Sequence, residues 1–283
     1  MSGSQRKIIR NSVIYLILII TLIVSIFPVF YTFMASFKGN MEILTSGNSI
    51  IPKKFVLDNY IQAWKLGNFS RYTFNSVFMS FFIVTGTIIS CTVSGYVFER
   101  GRFRGKEILF AMVISSMFVS LGSLTLYPTL MIAKGFHMNQ SLWGVIIIRV
   151  LGLNVTNLFI ARGFIKSISS EIDEAAKIDG CSFFGIYRHI IFPLCKPLIA
   201  TIGILEFRAA WNDYLMPLVF TLSNPDRMPL VVGVVNLKSS GEAASSWNLM
   251  LAGSAISIIP MILVYMIFNR YFIEGLTSGS VKG

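Results

Sequence analysis

The sequence predicts an all-α polytopic membrane protein with six transmembrane helices and one charged helix-turn-helix between the fourth and the fifth. Three observations carry this expectation. The 283-residue chain is 54% hydrophobic and only 13% charged, with a mean hydropathy of +0.70, whereas a soluble domain is nearer one quarter charged. Six apolar runs each reach the roughly 20 residues needed to cross a hydrocarbon layer. Between two of them lies EIDEAAKIDG, residues 171–180, with four acidic side chains and a lysine.

The runs cover 13–34, 76–97, 108–132, 142–165, 198–220 and 251–272. Each should be a helix, because lipid offers the backbone no outside hydrogen-bond partner. The first is too long for the core of a signal peptide, and no small-residue cleavage site follows it, so it counts as a span. A single transmembrane domain over 1–283 is expected.

Lysine and arginine set the orientation. Fourteen fall at the two termini or in the loops on their side of the membrane, among them Arg100, Arg102, Arg104 and Lys106 in the short ERGRFRGKE loop. Eight fall in the loops of the other side. By the positive-inside rule both termini and EIDEAAKIDG face the cytoplasm. The net charge of +11 then reads as a topology signal, and nucleic acid is not an expected partner.

Chemistry is hard to find. Cys91, Cys181 and Cys195 avoid the outer loops, which leaves no extracytoplasmic disulfide framework. The two histidines, His137 and His189, lie on opposite sides, and no His, Cys and carboxylate cluster has metal-ligand spacing. GRFRGK has too short a glycine gap for a phosphate loop, and no nucleophile elbow appears. An intramembrane enzyme is therefore disfavoured. An ATP-independent carrier or channel is the alternative in another class, although no inverted repeat and no paired Gly/Pro-broken spans stand out.

The charged segment has the marks of a short helix. Ser170 with Asp173 fits a capping box, and Glu171, Asp173 and Glu174 crowd the end where the helix dipole favours negative charge. Gly180 is placed to stop the helix in a left-handed conformation. About nine residues are too few for a helix stable alone in water, so this one must lean on something. Ile172, Ala175, Ala176 and Asp179 share a face of mostly small side chains. A second helix follows, with Ser182 as cap, Phe183, Tyr187 and Ile190 on one face, and Pro193 ending it. The pair either rests on the lipid surface or fits a pocket of a soluble partner. The acidic first turn favours the partner, since the inner leaflet is itself negative.

Glu174-Ala175-Ala176, three residues, Gly180, nine residues, then Ile190-Ile191-Phe192-Pro193 closely resembles the EAA motif of permease subunits in bacterial ATP-driven importers. That motif reads EAA-x3-G-x9-I-x-L-P; Phe192 stands where leucine is usual. The ending RYFIEGLTSGSVKG, LDNYIQAW at 57–64 and WNDYLMPL at 211–218 are similar to segments of the maltose-transporter type of carbohydrate permease, so the resemblance runs nearly the length of the chain.

This resemblance implies a coupling loop at 167–193 that docks on a cytoplasmic ATPase dimer, through Glu174, Ala175, Ala176, Asp179, Gly180, Ile190 and Pro193. It implies a tail at 274–283 reaching the ATPase through Gly275, Leu276, Thr277, Gly279, Lys282 and Gly283. A second permease subunit and an extracytoplasmic sugar-binding protein complete the assembly, in the bacterial cytoplasmic (inner) membrane. ATP and magnesium are bound by the ATPase, and no cofactor by this chain. The loop near 237–247 is expected to help release sugar from the binding protein.

Polar groups within the spans are costly in lipid and so become substrate-path candidates. Trp211 and Asn212 form the most sugar-like pair, an aromatic face beside an amide, with Asn154 and Glu206 as further members. Arg149, Asn157 and Arg208 qualify on the same ground, although pairing within or between helices would equally account for such groups.

Overall fold

The computed structural model describes residues 3–45, 49–119, 121–237 and 246–278. Among them the regular structure is helical throughout, with no strand. The helices, in chain order, are Gly3–Ser36 (α1), Asn40–Thr45 (α2), Asp58–Leu66 (α3), Phe69–Arg100 (α4), Lys106–Ser115 (α5), Leu126–Gly135 (α6), Leu142–Leu151 (α7) and Val155–Ser167 (α8). They continue with Ser170–Ile178 (α9), Phe183–Ile186 (α10), Phe192–Leu194 (α11), Lys196–Trp211 (α12), Leu215–Thr221 (α13), Leu230–Asn236 (α14) and Trp247–Ser278 (α15). The chain divides into two compact units, one made of 1–69 with 233–258 and the other of 70–232 with 259–283.

Three helices are long and apolar enough to cross a membrane unbroken: Ile9–Ser36, Phe69–Arg100 and Trp247–Phe268. None of the apolar window of the first is buried within the chain, as expected of a helix hydrophobic all round that meets lipid. The other three runs are each divided. The 142–165 run is two helices, α7 and α8, inclined at 45°. The 108–132 run, expected to be continuous, is α5 and α6 joined through 3-10 turns at Ser116–Phe118 and Gly122–Thr125. Gly122 sits at φ +51°, and Ser115 and Ser116 turn their hydroxyls onto the carbonyls of Ala111 and Val113.

The 198–220 run also departs from expectation. α12 stops at Trp211 and α13 begins at Leu215. Pro217 has no N–H to offer the carbonyl of residue 213, and it lies in the first turn of α13, where a helix needs no such bond. The broken turn is held by Asn212, whose Nδ2 donates to the Arg208 carbonyl at 2.9 Å, and by Asp213, which accepts from Arg149 at 2.8 Å. At its other end α12 is inclined at 76° to the Phe183–Leu194 stretch.

In the unit of 1–69 and 233–258, Asn59 is the polar centre. Its buried amide donates to the carbonyls of Ser36 and Lys38 and accepts from Asn248. Lys38 is buried beside it and donates to the Ser49 carbonyl, with its ammonium 5.7 Å from the Tyr31 ring.

In the other unit α4 is the spine. Met79 and Ile83 pack with Val145, Ile146 and Phe220 in one cluster. Cys91 and Tyr96 pack with Ala161, Ile165 and residues of α9–α12 in another. Small residues bring the backbones close, as in helix packing within membranes generally. A Cβ on Gly95 would lie 2.9 Å from the Ala161 Cβ and 3.1 Å from backbone atoms of α8. Backbone cannot yield as a flexible side chain can. Gly95→Val is therefore expected to destabilise the folded chain by about 1–3 kcal/mol, seen as a lower thermal midpoint in detergent; an unchanged midpoint would show that α4 and α8 do not meet here.

Candidate functional site

The charged segment is the nine-residue helix α9. Its cap is Ser169, whose hydroxyl accepts from the Glu171 N–H at 3.3 Å, one residue earlier than the capping-box reading had it. Asp173 is drawn away from any capping role by a stronger partner. Its carboxylate, 4% exposed, lies 2.8 Å from Arg100 Nε at the end of α4. The C-terminus closes as expected: Gly180 sits at φ +82°, its N–H reaches the Lys177 carbonyl, and the Cys181 N–H reaches that of Ala176. These two bonds make a Schellman motif.

The two faces of α9 also differ from the sequence reading. Ala176 does not share an outer face with Ile172, Ala175 and Asp179. It turns inward with Asp173, into the cluster built by Tyr96, Ala161, Ile165 and Ile186. Glu171, Ile172, Glu174, Ala175, Ile178 and Asp179 remain exposed, Ile178 at 87%. A helix with an inner face of one alanine and one paired carboxylate, and an outer face with a bare isoleucine, is anchored on one side and open on the other.

Ser182 caps α10 by accepting from the Gly185 N–H at 3.1 Å. Phe183, Tyr187 and Ile190 pack against the inner cluster, and the Tyr96 and Phe183 rings lie 4.6 Å apart, tilted by 33°. The Tyr187 hydroxyl meets that of Thr92 at 2.9 Å. Pro193 does not end the helix. The chain widens into a π-helical turn at Tyr187–Ile191, stays helical through Pro193 and bends only at Cys195. The wider turn makes room for a proline ring that would otherwise strike the carbonyl four residues back.

Sequence reasoning missed the residues that hold this hairpin in place. Arg100 and Arg162 counted only toward orientation. In the structure Arg100 Nη2 also donates to the carbonyls of Ile165 and Ile168, at the end of α8. Arg162 joins Glu99 at 3.0 Å and Glu107 at 2.7 Å, with its guanidinium 4.0 Å from the Phe110 ring. The available signal was the clustering of basic residues beside an acidic helix, which leaves the pairing open.

The polar groups of the spans fall into two sets. Glu206, buried on α12, accepts from Asn154 Nδ2 at 2.9 Å and Asn157 Nδ2 at 3.1 Å, and Asn154 caps α8 by accepting from the Asn157 N–H. Arg149 pairs with Asp213. Trp211 is 1% exposed and stacks on Phe207 at 5.5 Å, while Asn212 and Arg208 are exposed. Asn154, Asn157 and Glu206 thus come together, and Trp211 and Asn212 mark the end of α12. Gly275, Leu276 and Thr277 are helical in α15. Gly279, Lys282 and Gly283 lie outside the described residues, as do 238–245 of the loop expected to act on a binding protein. Among the described residues no group of His, Cys, Asp and Glu could hold a metal ion.

The Arg100–Asp173 pair generates a test. Arg100→Met leaves a buried carboxylate alone and should cost about 3–5 kcal/mol, whereas the double variant Arg100→Met, Asp173→Leu should regain most of that loss. Thermal unfolding of the four proteins of the cycle in detergent measures both terms. Additive losses would show that the two residues act separately.

Comparison with known proteins fits this geometry. The arabinooligosaccharides transport system permease protein AraQ of Bacillus subtilis is 31% identical over 261 residues, 91% of each chain. The galactooligosaccharides transport system permease protein GanQ of the same organism is 30% identical over 282 residues, 98% of each. The sn-glycerol-3-phosphate transport system permease protein UgpE of Escherichia coli is 27% identical over 92% of this chain and 94% of its own. Among solved structures, a chain of a bacterial ABC transporter involved in the import of the acidic polysaccharide alginate superposes with a TM-score of 0.79, over 96% of this chain and 99% of that one. At 24% identity this likeness shows the fold. The sequence pattern defining the binding-protein-dependent transport system inner membrane components matches residues 1–278, and the chain belongs to that family.

Proposed function

We propose that the chain is one of two permease subunits of an ATP-driven importer of sugars or oligosaccharides, and that α9 is its coupling helix. The observation that carries this reading is the division of α9 into an anchored and an open face. Asp173 and Ala176 tie it to α4 and α8, so a push on the helix is passed to the spans. Glu174, Ala175, Ile178 and Asp179 stay free for a cytoplasmic ATPase, with Gly180 setting the turn and Ile190 and Pro193 on the path into α12. ATP binding in that partner supplies the differential affinity that moves a two-state permease, which this chain alone does not provide.

The sugar class rests on AraQ and GanQ, whose names specify oligosaccharides. UgpE makes a polyol phosphate the substrate to include as comparison. In the same reading both termini are cytoplasmic, the whole chain acts as one transmembrane domain, and the tail from Gly275 to Gly283 contacts the ATPase. Trp211, Asn212, Asn154 and Glu206 supply polar groups toward the path, since a buried carboxylate and amides are costly among lipid-spanning helices.

The test is ATPase activity of the complex reconstituted with its ATPase, its second permease and binding proteins loaded with arabino- or galacto-oligosaccharide, or with sn-glycerol 3-phosphate. One sugar should stimulate hydrolysis. Glu174→Ala and Ile178→Asp should each weaken docking of the ATPase about tenfold, the loss expected for one charge contact or one buried isoleucine. Full stimulation with both variants would remove α9 from the coupling role.

A further inference from the structure

A second polar feature lies beside the coupling helix, along the edge where its anchored face, with Asp173, meets its exposed residues Glu174 and Lys177. The turn after α4, the start of α5 and the inner edge of α9 enclose a polar cavity of about 220 Å³. Four cations line it, Arg100, Arg102, Lys106 and Lys177, against three carboxylates, Glu99, Asp173 and Glu174. Several are already answered. Arg100 pairs with Asp173, and Glu99 with Arg162, which also holds Glu107. Lys106 donates to the Glu99 carbonyl and lies 3.8 Å from the Glu107 carboxylate, with donor capacity left over.

What remains is uneven. The side chains of Arg102 and Lys177 have no ion pair or hydrogen bond with any described residue, and Glu174 is the one lining carboxylate without an ion pair among them. Asp173 adds an independent sign of an absent ligand. Its side chain is 4% exposed, and neither carboxylate oxygen has a hydrogen-bond partner among the described residues, Oδ2 being held only by its ion-pair contact with Arg100. A buried acceptor left unpaired costs about 1–3 kcal/mol, so the native site is expected to supply a donor. The cavity therefore asks for two things in one molecule: an anion for the free cations and hydroxyl or amine donors for the buried carboxylate.

We propose that this cavity binds a phosphate ester that also carries free hydroxyls. The phosphate sits among Arg102, Lys106 and Lys177, and the hydroxyls donate toward the buried Asp173 carboxylate. Two sources have this chemistry. One is the phosphoglycerol headgroup of an anionic lipid, reached because the cavity lies where α4 ends and α5 begins, at the expected inner surface of the membrane. The other is a soluble sugar phosphate. Either one, seated beside α9 against Asp173 and Lys177, would bear on the helix that the permease reading makes the coupling element. The inference rests on that reading only for the cytoplasmic placement of the cavity.

The experiment uses the full complex, wild type and Arg102→Gln, Lys177→Gln, with assembly and basal ATP hydrolysis checked in both. In the first arm, complexes are purified from nanodiscs of phosphatidylglycerol with phosphatidylcholine, and retained lipid is read by native mass spectrometry. In the second, glucose 6-phosphate is titrated into detergent-solubilised complex by calorimetry. Wild type should bind in one arm, which names the source, and the variant should bind about fivefold more weakly for each cation removed. Equal binding by wild type and variant, or no binding of either probe by an assembled, hydrolysing complex, would overturn the proposal while leaving the permease reading intact. In the latter case the cavity would belong to the ATPase interface. A complex that fails to assemble with the ATPase would count against the permease reading instead.

Discussion

One ion pair organises the end of this protein where α4, α8 and α9 meet. Arg100 closes the 32-residue helix α4, and its guanidinium holds three partners: Asp173 of α9 by ion pairing, and the carbonyls of Ile165 and Ile168 at the end of α8 by hydrogen bonds. A helix C-terminus leaves carbonyls without intrahelical partners and carries partial negative charge, which suits a cation. The start of the next helix has the opposite polarity, which suits Asp173. A single planar fork thus ties the end of one helix, the beginning of another and the span that carries it. Removing two ions from water is costly, so the pair's worth lies less in net stability than in fixing where α9 sits. The packing around it depends on that position: Ala176, Tyr96 and Phe183 meet only if α9 lies on α4 in this register.

The apolar runs, the charged hairpin and its glycine stop were legible because each depends on local chemistry. A run of 20 apolar residues, a Gly at the αL position and a Ser before a short helix act through their own neighbours. What was not legible depends on partners distant in sequence. Asp173 and Ser170 have the spacing of a capping box, yet Arg100 lies some 70 positions earlier and takes the carboxylate. Ala176 looks like a surface alanine until Tyr96 and Ala161 are placed beside it. The substrate-path candidates show the same limit. Composition marks Asn154, Asn157 and Glu206 as costly in lipid, but only the fold shows them bonded to one another.

The breaks in the spans were hidden for a different reason. Hydropathy over a window sums side chains and ignores backbone conformation, so Gly152 and Leu153 at φ +40° pass unnoticed inside an apolar stretch, and Asn154 reads there as a polar side chain and not as a helix cap. Yet a break within a membrane must satisfy its freed backbone groups, and the residues that do so are polar. Asn154 caps α8 where α7 stops; Asn212 and Asp213 hold the turn where α12 stops. The polar residues that sequence reasoning put forward as substrate contacts are, in large part, the ones that make broken helices tolerable. The two roles are compatible, because irregular backbone at membrane depth persists where protein or a water-filled path covers it.

Rigid and compliant parts can then be told apart. α9 is fixed to α4 and α8 by the Arg100 fork, a buried alanine and aromatic contacts, so it moves as part of that group. From α10 onward the same chain runs through a π-helical turn, Pro193 and a 76° bend at Cys195 before it becomes α12. Prolines and π turns are where the helical hydrogen-bond ladder is already interrupted, so a change of angle there breaks few bonds. α12 is also the helix that carries Glu206 and Trp211. A load on α9 would thus be delivered firmly to α4 and α8, and reach α12 through a joint. The spans on the two sides of that joint need not move together, and a permease that opens first to one face and then to the other requires that freedom of its helices.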